Sequence, residues 1–483
     1  MPETIVVVTG FVILLVDLAA MRHRPTRTRL RCGALLASVG CLAAAFWPGA
    51  SGPAGTTNYY DGLLILDPLT QLIQQAILLL TILTALISTE GGFSDHVGEY
   101  FLLLLLATVG MMFLVSTANI LMIFISLELL SLSLYLLTAF NKQNLASAEA
   151  ALKYFLFGGM SAAIMLFGLS LVYGLSGELN LAKIAAKLGA PPLDPLLVVA
   201  LVMLVTGFGF KVAAVPFHLW APDAYQGAPT PSAAFIASGS KLASFYVLAR
   251  VLMSGFHDAA GSGAWRGFSP GWVPLLAVVA AFSMVLGNLA AIAQKSVRRL
   301  LAYSAIAQAG YMLVGLLADN PQGLAALIFY AITYAFTILG AFAVVGAVQQ
   351  AASGDGFAAF AGLRQRAPLL AGSMMVFMLS LAGIPPLVGF FGKFYLFTAA
   401  VRSTPANLGL LWLVVLAIAM SAVSLYYYLQ VLKQIFVTAA PAGAPSIEVS
   451  LSTNILVTLL ALGALVVGGA PNLLLGRLVA LIK

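Results

Sequence analysis

Apolar runs of about 20 residues recur along the whole chain, the length an α-helix needs to cross a hydrocarbon core of about 30 Å at about 1.5 Å per residue. Fourteen such runs are predicted, over 4–21, 33–47, 69–88, 100–115, 118–139, 149–174, 196–217, 232–254, 272–293, 300–318, 323–348, 368–399, 406–437 and 451–475. In lipid a segment must satisfy its own backbone hydrogen bonds, so such runs form helices. The expected fold class is an all-α polytopic membrane protein with about 14 transmembrane helices. Composition agrees: 61% of the 483 residues are hydrophobic and 8% are charged, against about 25% charged in a soluble domain. The longest polar stretches, 48–62, 175–195, 255–271, 351–367 and 438–450, read as loops. A single integral membrane domain, 1–483, is therefore expected.

The net charge of +7 is spread over short loops, where it sets topology rather than marking a nucleic-acid surface. Loop one holds Arg22, Arg24, Arg27, Arg29 and Arg31. With fourteen helices, the same side also carries Lys142, Lys153, Lys295, Arg298, Arg299, Arg364, Arg366 and Lys433. The other side has Lys183, Lys187, Arg250, Arg266, Arg402, Arg477 and Lys483. This imbalance predicts loop one in the cytoplasm and both termini on the outer, periplasmic side. The opening Met1-Pro2-Glu3 has no basic region and no small-residue cleavage site follows before Arg22, so a secretory signal is not expected. Two cysteines (Cys32, Cys41) and four histidines (His23, His96, His218, His257) are too few for iron–sulfur clusters or paired haem ligands. Zinc-ligand spacing is absent too. No metal or redox centre is expected in this chain.

Four ionisable residues are predicted at membrane depth: Glu128, Lys211, Lys241 and Lys393. A lysine at a helix centre is unfavourable by roughly 2.5–3.5 kcal/mol. Charges near helix ends snorkel to the interface, but Glu128 and Lys241 fall near the middle of their runs. Structural ion pairs are one reading of this set; a buried ionisable pathway is the other. Lys211 and Lys393 accompany helix breakers: Gly207, Gly209 and Pro216 around the first, and Gly383, Pro385, Pro386, Gly389 and Gly392 before the second. Proline removes an intrahelical hydrogen bond, and a broken helix is tolerated in lipid only against protein or a water-filled cavity. Interrupted runs seven and twelve suggest two five-helix repeats, helices 4–8 (residues 100–254) and 9–13 (residues 272–437), inverted because five crossings is odd. Gly207-x-Gly209 is no dinucleotide loop, lacking a third glycine and a preceding strand. Asp67 and Pro68 read as the N-cap and first position of the third helix. Glu149 and Lys153, four apart, suit a surface pair.

These residues resemble the antiporter-like subunits of respiratory complex I. Ser126-Leu-Glu128-Leu-Leu-Ser131-Leu-Ser-Leu-Tyr135 is similar to their fifth helix, and Glu149-Ala-Ala-Leu-Lys153-Tyr-Phe to their sixth. The stretch from Gly207 through Lys211, Pro216, His218, Trp220 and Tyr225 to Pro231 is similar to the seventh helix and the start of the eighth. Lys295-Ser-Val-Arg298-Arg299-Leu-Leu-Ala-Tyr303-Ser304 and the segment from Gly383 to Lys393 complete the set, in order over about residues 120–400. Within the family the N-type subunit fits best: L-type members carry a lateral C-terminal helix, and M-type members have a glutamate where this chain has Lys393. The Mrp-type cation/proton antiporter subunits are relatives. The tenth-helix motif often has a histidine where this chain has Gln308.

The resemblance implies a proton-translocating subunit of a NADH:quinone oxidoreductase. NADH, FMN, iron–sulfur clusters and quinone would lie in other subunits of the complex. Its partners would be membrane and peripheral subunits, neighbouring antiporter-like subunits among them, and lipid, in a bacterial inner membrane. Glu128, Lys211, Lys241 and Lys393 would form the relay, with Glu149, Lys153, His218, Lys295, Tyr303 and Gln308 supporting it. Desolvation disfavours a charged lysine and a nearby carboxylate favours it, so a changing Glu128–Lys211 distance would switch proton release. Ser131, Thr230, Ser238 and Ser240 could order connecting waters. Gln308 cannot carry a proton at neutral pH, so transfer there would use water, Tyr303, Ser304 or Lys295. An independent cation/proton antiporter and a structural spacer are the other classes. The predicted orientation is checked by Arg24→Cys in a variant lacking Cys32 and Cys41. A membrane-impermeant maleimide is expected to label it in inside-out vesicles and not in spheroplasts; the opposite pattern would invert the topology.

Overall fold

The structure, a computed structural model, describes residues 1–47, 57–60, 63–188, 192–264, 267–352, 354–403, 409–440, 446–447 and 449–482. Arg266 and Lys483, counted in the loop-charge balance, lie outside the described residues. Among the described residues, thirteen helices are long and apolar enough to cross a membrane. The expected twelfth run is two shorter helices, Pro368–Ala382 and Val388–Ser403. The helices begin with α1 (Pro2–Ala19), α2 (Thr26–Ala45), α3 (Pro68–Ile87), α4 (Val97–Val115), α5 (Ile120–Thr138), α6 (Leu145–Ser176) and α7 (Pro195–Val212). A short α8 (Trp220–Gly227) leads to α9 (Thr230–Ala237) and α10 (Gly239–Arg250). Then follow α11 (Trp272–Ile292), α12 (Val297–Leu317), α13 (Pro321–Ala352), α14 (Pro368–Ala382), α15 (Val388–Ser403), α16 (Leu411–Phe436), α17 (Leu451–Gly469) and α18 (Asn472–Ile482). A two-stranded hairpin, β1 (Thr57–Tyr59) with β2 (Leu64–Leu66), precedes α3.

Three boundaries depart from the sequence reading. The second helix starts at Thr26 and takes in Arg29, because Asp17 of α1 accepts from Arg29 at 2.6 and 2.7 Å and from the Gly98 amide at 2.9 Å. A paired arginine need not stay in a loop. The eighth run, expected as one helix over 232–254, is interrupted at Ser238 (φ −109°, ψ −81°) and ends in a wide turn over Val251–Gly255. The fourteenth run, expected over 451–475, stops at Gly469 before Pro471, and α18 follows. The cap at α3 is as expected: Asp67 Oδ1 accepts from the Thr70 amide at 2.7 Å, with Pro68 next.

The breaks at runs seven and twelve share one backbone pattern. Helix α7 ends at Ala213 (φ 57°) before a cis Val215–Pro216 bond, and α14 ends at Gly383 (φ 88°) before a cis Pro385–Pro386 bond. The Ala214 and Ile384 amides reach back to Gly209 O and Leu379 O at 2.8 and 3.1 Å. Phe217 and Leu387 then close turns onto Ala214 O and Ile384 O at 2.7 and 3.0 Å. Other pairs recur. The strand-like link Ile120 N to Leu179 O (2.9 Å) and Leu181 N to Ala118 O (2.9 Å) is matched by Val297 N to Asp355 O (2.8 Å) and Phe357 N to Lys295 O (3.2 Å). Gly110 of α4 lies against Ser126 and Leu130 of α5 as Gly287 of α11 lies against Tyr303 and Ala307 of α12.

The core sits where α9–α10, α12 and α13 meet, each 94% buried over its most apolar stretch, against 33% for α1, α16 and α17. Helices that are apolar all round belong in such interiors. The close approach at Gly287 is testable. A Cβ there would lie 2.6 Å from Ala307 N and 3.0 Å from Tyr303 O, whereas one at Gly372 meets nothing within 4 Å. Gly287→Ala is expected to destabilise by about 1–3 kcal/mol and Gly372→Ala to leave thermal unfolding of the purified protein unchanged. Equal melting for both would remove this contact from the account.

Candidate functional site

Of the three lysines expected at membrane depth, Lys211 and Lys241 sit in end turns of their helices, and Lys393 lies in the second turn of the helix after its break. Lys211 occupies the last turn of α7, where the negative end of the helix dipole favours a cation. Its Nζ donates to Ser131 Oγ of α5 and lies 5.2 Å from the Phe210 ring and 6.0 Å from the Tyr135 ring. Glu128 is on the same helix as Ser131, three residues earlier, and is half-buried. Among the described residues no ion pair joins it to Lys211. The contact expected to hold the Lys211 proton is thus made by a hydroxyl in this conformation.

Lys241 lies in the first turn of α10, just past the break at Ser238. There the helix dipole opposes a cation, and the side chain reaches across to α12 instead. It is 2% exposed, donates to Ala305 O at 2.6 Å and lies 5.9 Å from the Tyr334 ring. Ser238 Oγ and Ser240 Oγ turn back to Ala234 O and Ile236 O at 2.7 and 2.8 Å. Thr230 bonds Gln349 at 3.1 Å, and both line one cavity.

Lys393 shows what the double proline accomplishes. In an unbroken helix the carbonyls of Leu381 and Ala382 would accept from the amides four residues on, at positions 385 and 386. Both are proline and have no N–H. Lys393 Nζ takes both carbonyls, at 3.0 and 3.1 Å, and donates to Ser421 Oγ at 2.8 Å. The Tyr311 ring lies 4.7 Å from the ammonium. Gly383, at positive φ, leaves the lysine stem its room: a Cβ there would come within 3.1 Å of Lys393 Cδ. Lys393 follows its break and Lys211 precedes its own, so the shared backbone pattern does not place the two lysines alike.

Gln308 of α12 is fully buried. Its Nε2 donates to Leu381 O at 3.0 Å and to the Tyr428 hydroxyl at 3.2 Å. The Tyr330 hydroxyl donates to its Oε1 at 2.5 Å. Ser304 Oγ bonds the same Tyr428 hydroxyl. The structure thus joins Gln308 to the acceptor of Lys393 and places Ala305, the acceptor of Lys241, one turn away. Tyr303 lies elsewhere, lining a lateral groove with Lys153, Asp223 and Arg299. Lys295 is exposed in the loop before α12. His218 lies half-buried in the break after α7, its Nδ1 buried and without a hydrogen-bond partner among the described residues.

Glu149 and Lys153 make more than a surface pair. Lys153 Nζ bonds Glu149 at 2.7 Å and Asp223 at 2.9 Å, and Arg299 bonds the other Asp223 oxygen at 2.5 Å. The network ties α6, α8 and α12 at the face carrying loop one. Trp220 stands beneath it, stacked on Tyr154 with centroids 4.1 Å apart and donating to Phe210 O at 3.0 Å.

Sequence reasoning missed Asp223 as a partner, as well as Ala305, Ser421, Tyr311, Tyr330, Tyr334 and Tyr428. Carbonyl acceptors such as Leu381 O carry no residue signature. The one sequence signal for them was the pair Pro385-Pro386.

A bundle of apolar helices long enough to cross a membrane, interrupted beside lysines held by hydroxyl and carbonyl oxygens, defines a polytopic integral membrane protein. Residues 117–421 match the family described as NADH:quinone oxidoreductase/Mrp antiporter, TM. The chain belongs to this family. NADH-quinone oxidoreductase subunit N 2 of Acidobacterium capsulatum is 52% identical over 98% of this chain and 97% of its own length. A chain in respiratory complex I from Thermus thermophilus with bound aureothin superposes with a TM-score of 0.81 at 35% identity, covering 99% of each chain. A chain of the Mrp complex from Dietzia sp. DQ12-45-1b has a TM-score of 0.83 at 22% identity over 100% of this chain and 96% of that one, a likeness of fold. The expected resemblance to N-type antiporter-like subunits is borne out.

Burial pushes the Asp223 carboxyl up, but hydrogen bonds and charge from Lys153 and Arg299 outweigh it and hold it below the usual carboxylate range. A carboxyl so depressed contributes stability above its unfolded-state value and loses it as pH falls through the folded one. Thermal stability of the native assembly should therefore drop on acidification below about pH 4, and Asp223→Asn should shrink that step while lowering the neutral-pH melting point. An acid step of undiminished size in Asp223→Asn would assign it elsewhere.

Proposed function

We propose that this chain is the N-type antiporter-like membrane subunit of a NADH:quinone oxidoreductase. In this reading it translocates protons through Glu128, Lys211, Lys241 and Lys393, driven by electron transfer in other subunits. NADH, FMN, iron–sulfur clusters and quinone belong to those subunits, and the complex sits in a bacterial inner membrane with both termini of this chain outside. The helices from α4 to α10 and from α11 to α16 form two inverted repeats in this proposal, supported by the recurring breaks, links and glycine contacts. The matching relatives with subunit N names support the assignment to a complex.

One observation carries the relay. Lys211, Lys241 and Lys393 are each held by neutral hydroxyl or carbonyl oxygens, with no carboxylate paired to any of them among the described residues. A lysine locked to a carboxylate stays charged, whereas one held by neutral oxygens exchanges its proton at small cost in pairing energy. Ser131 connects Lys211 to the helix of Glu128, and α12 connects Lys241 to Lys393 through Ala305, Gln308 and Leu381. Approach of Glu128 to Lys211 would retain the proton on Lys211, and separation would release it toward Lys241 and Lys393. The Mrp-type alternative, cation exchange for protons, rests on likeness of fold. It calls for cation transport by the chain with only small hydrophobic partners.

The test is NADH-driven acidification of inside-out vesicles. Lys211→Ala and Glu128→Ala, each in a complex that assembles, should lower proton translocation and coupled quinone reduction by about a hundredfold, the lower end for loss of an acid–base group. Normal rates in both variants would overturn the relay.

A further inference from the structure

Gln308 occupies the junction between the Lys241 and Lys393 surroundings, and its hydrogen bonds fix its orientation. Leu381 O accepts only, so the atom facing it at 3.0 Å is the amide nitrogen. Oε1 therefore faces Tyr330, whose hydroxyl must be the donor at 2.5 Å. Nε2 gives its second hydrogen to Tyr428 at 3.2 Å. Tyr428 must then direct its own hydrogen away from Gln308, where Ser304 is one of its partners. All the amide's main bonds are made, it is fully buried, and turning it round would set two oxygens, Oε1 and Leu381 O, face to face.

The Leu381 carbonyl has two donors at the same distance, Gln308 Nε2 and Lys393 Nζ. That carbonyl is available to them because Pro385 leaves it without a helical partner. Proton hopping requires each member of a chain to accept on one side and donate on the other; a fixed neutral amide does not do this.

We propose that Gln308 is a positioning residue for Lys393: sharing the Leu381 carbonyl, it sets where the ammonium sits, and as a non-titrating amide it separates the Lys241 and Lys393 sides instead of passing a proton between them. The inference rests on the relay reading above. Transfer between the two lysines then goes around the amide, and the geometry of the break, not an ionisable group on α12, governs it.

The experiment uses the whole complex in inside-out vesicles, with proton translocation normalised to NADH oxidation and followed from pH 6 to 8. Gln308→Leu keeps the volume and loses every bond; translocation is expected to fall about fivefold, the effect of losing one hydrogen bond. Gln308→His offers an N–H to Leu381 O again and should restore translocation, but with a new titrating limb near the ordinary histidine range of about 6.5. A purely packing role would not produce that limb. Wild-type translocation in Gln308→Leu, no recovery in Gln308→His, or a wild-type pH profile in Gln308→His would each overturn the proposal. If Gln308→Leu does not assemble, isosteric Gln308→Glu replaces it. Its ionised carboxylate cannot donate to Leu381 O, so translocation should fall as pH rises, and a flat profile would overturn the proposal. Lys393→Met separates the two readings. Normal translocation in that variant removes the relay itself, whereas lost translocation there with a wild-type Gln308→Leu removes only the role of Gln308.

Discussion

Backbone amides and carbonyls in lipid must find partners inside the protein, and this requirement organises the structure. Where proline removes an amide, a carbonyl is left over. At Pro385 and Pro386 the two leftover carbonyls, of Leu381 and Ala382, are taken by Lys393. The break and the buried cation thus solve each other's problem. An unbroken α14–α15 helix would leave Lys393 without these acceptors, and an apolar residue at 393 would leave the carbonyls without this donor. Such a carbonyl left bare in a dry interior costs about 1–3 kcal/mol.

Helix α12 is the element through which the lysine sites communicate. It gives the Ala305 carbonyl to Lys241 and the Gln308 amide to the Leu381 carbonyl. Its first turn is anchored by Arg299 on Asp223, while Arg298 holds Tyr225 O at 2.9 Å. The segment from α8 to α10, which carries Lys241, is therefore tied to α12 at the loop-one face and again in the core. Displacement of α12 would alter both lysine environments together, as mechanical coupling in the proposed mechanism requires.

The helix count, the membrane setting, the interruptions of runs seven and twelve and the cap at Asp67 were all legible in sequence. Each depends on local chemistry: apolar length, proline's missing amide, an N-cap side chain. The interruption at Ser238 was not legible, because Ser238-Gly239-Ser240 carries no proline and each residue also occurs in unbroken helices. The hydroxyl partner of Lys211 was not legible for another reason. Glu128 and Ser131 lie on one helix, three residues apart, and only the rotation of α5 against α7 selects the hydroxyl over the carboxylate. Lys295 and Tyr303 belong to the same motif as Ser304. Their separate fates, loop surface, lateral groove and core, follow from the turn of α12.

By itself the sequence determined that this chain lies in lipid, crosses it as helices, breaks two of them and sets three lysines and a glutamate within its apolar runs. Those outcomes follow from residue type and spacing along one segment. Only the tertiary structure decided what each buried charge meets: a serine for Lys211, a carbonyl of a neighbouring helix for Lys241, two proline-freed carbonyls for Lys393. Carbonyl acceptors are identical at every residue, so their selection depends on which helices lie side by side and how each is rotated.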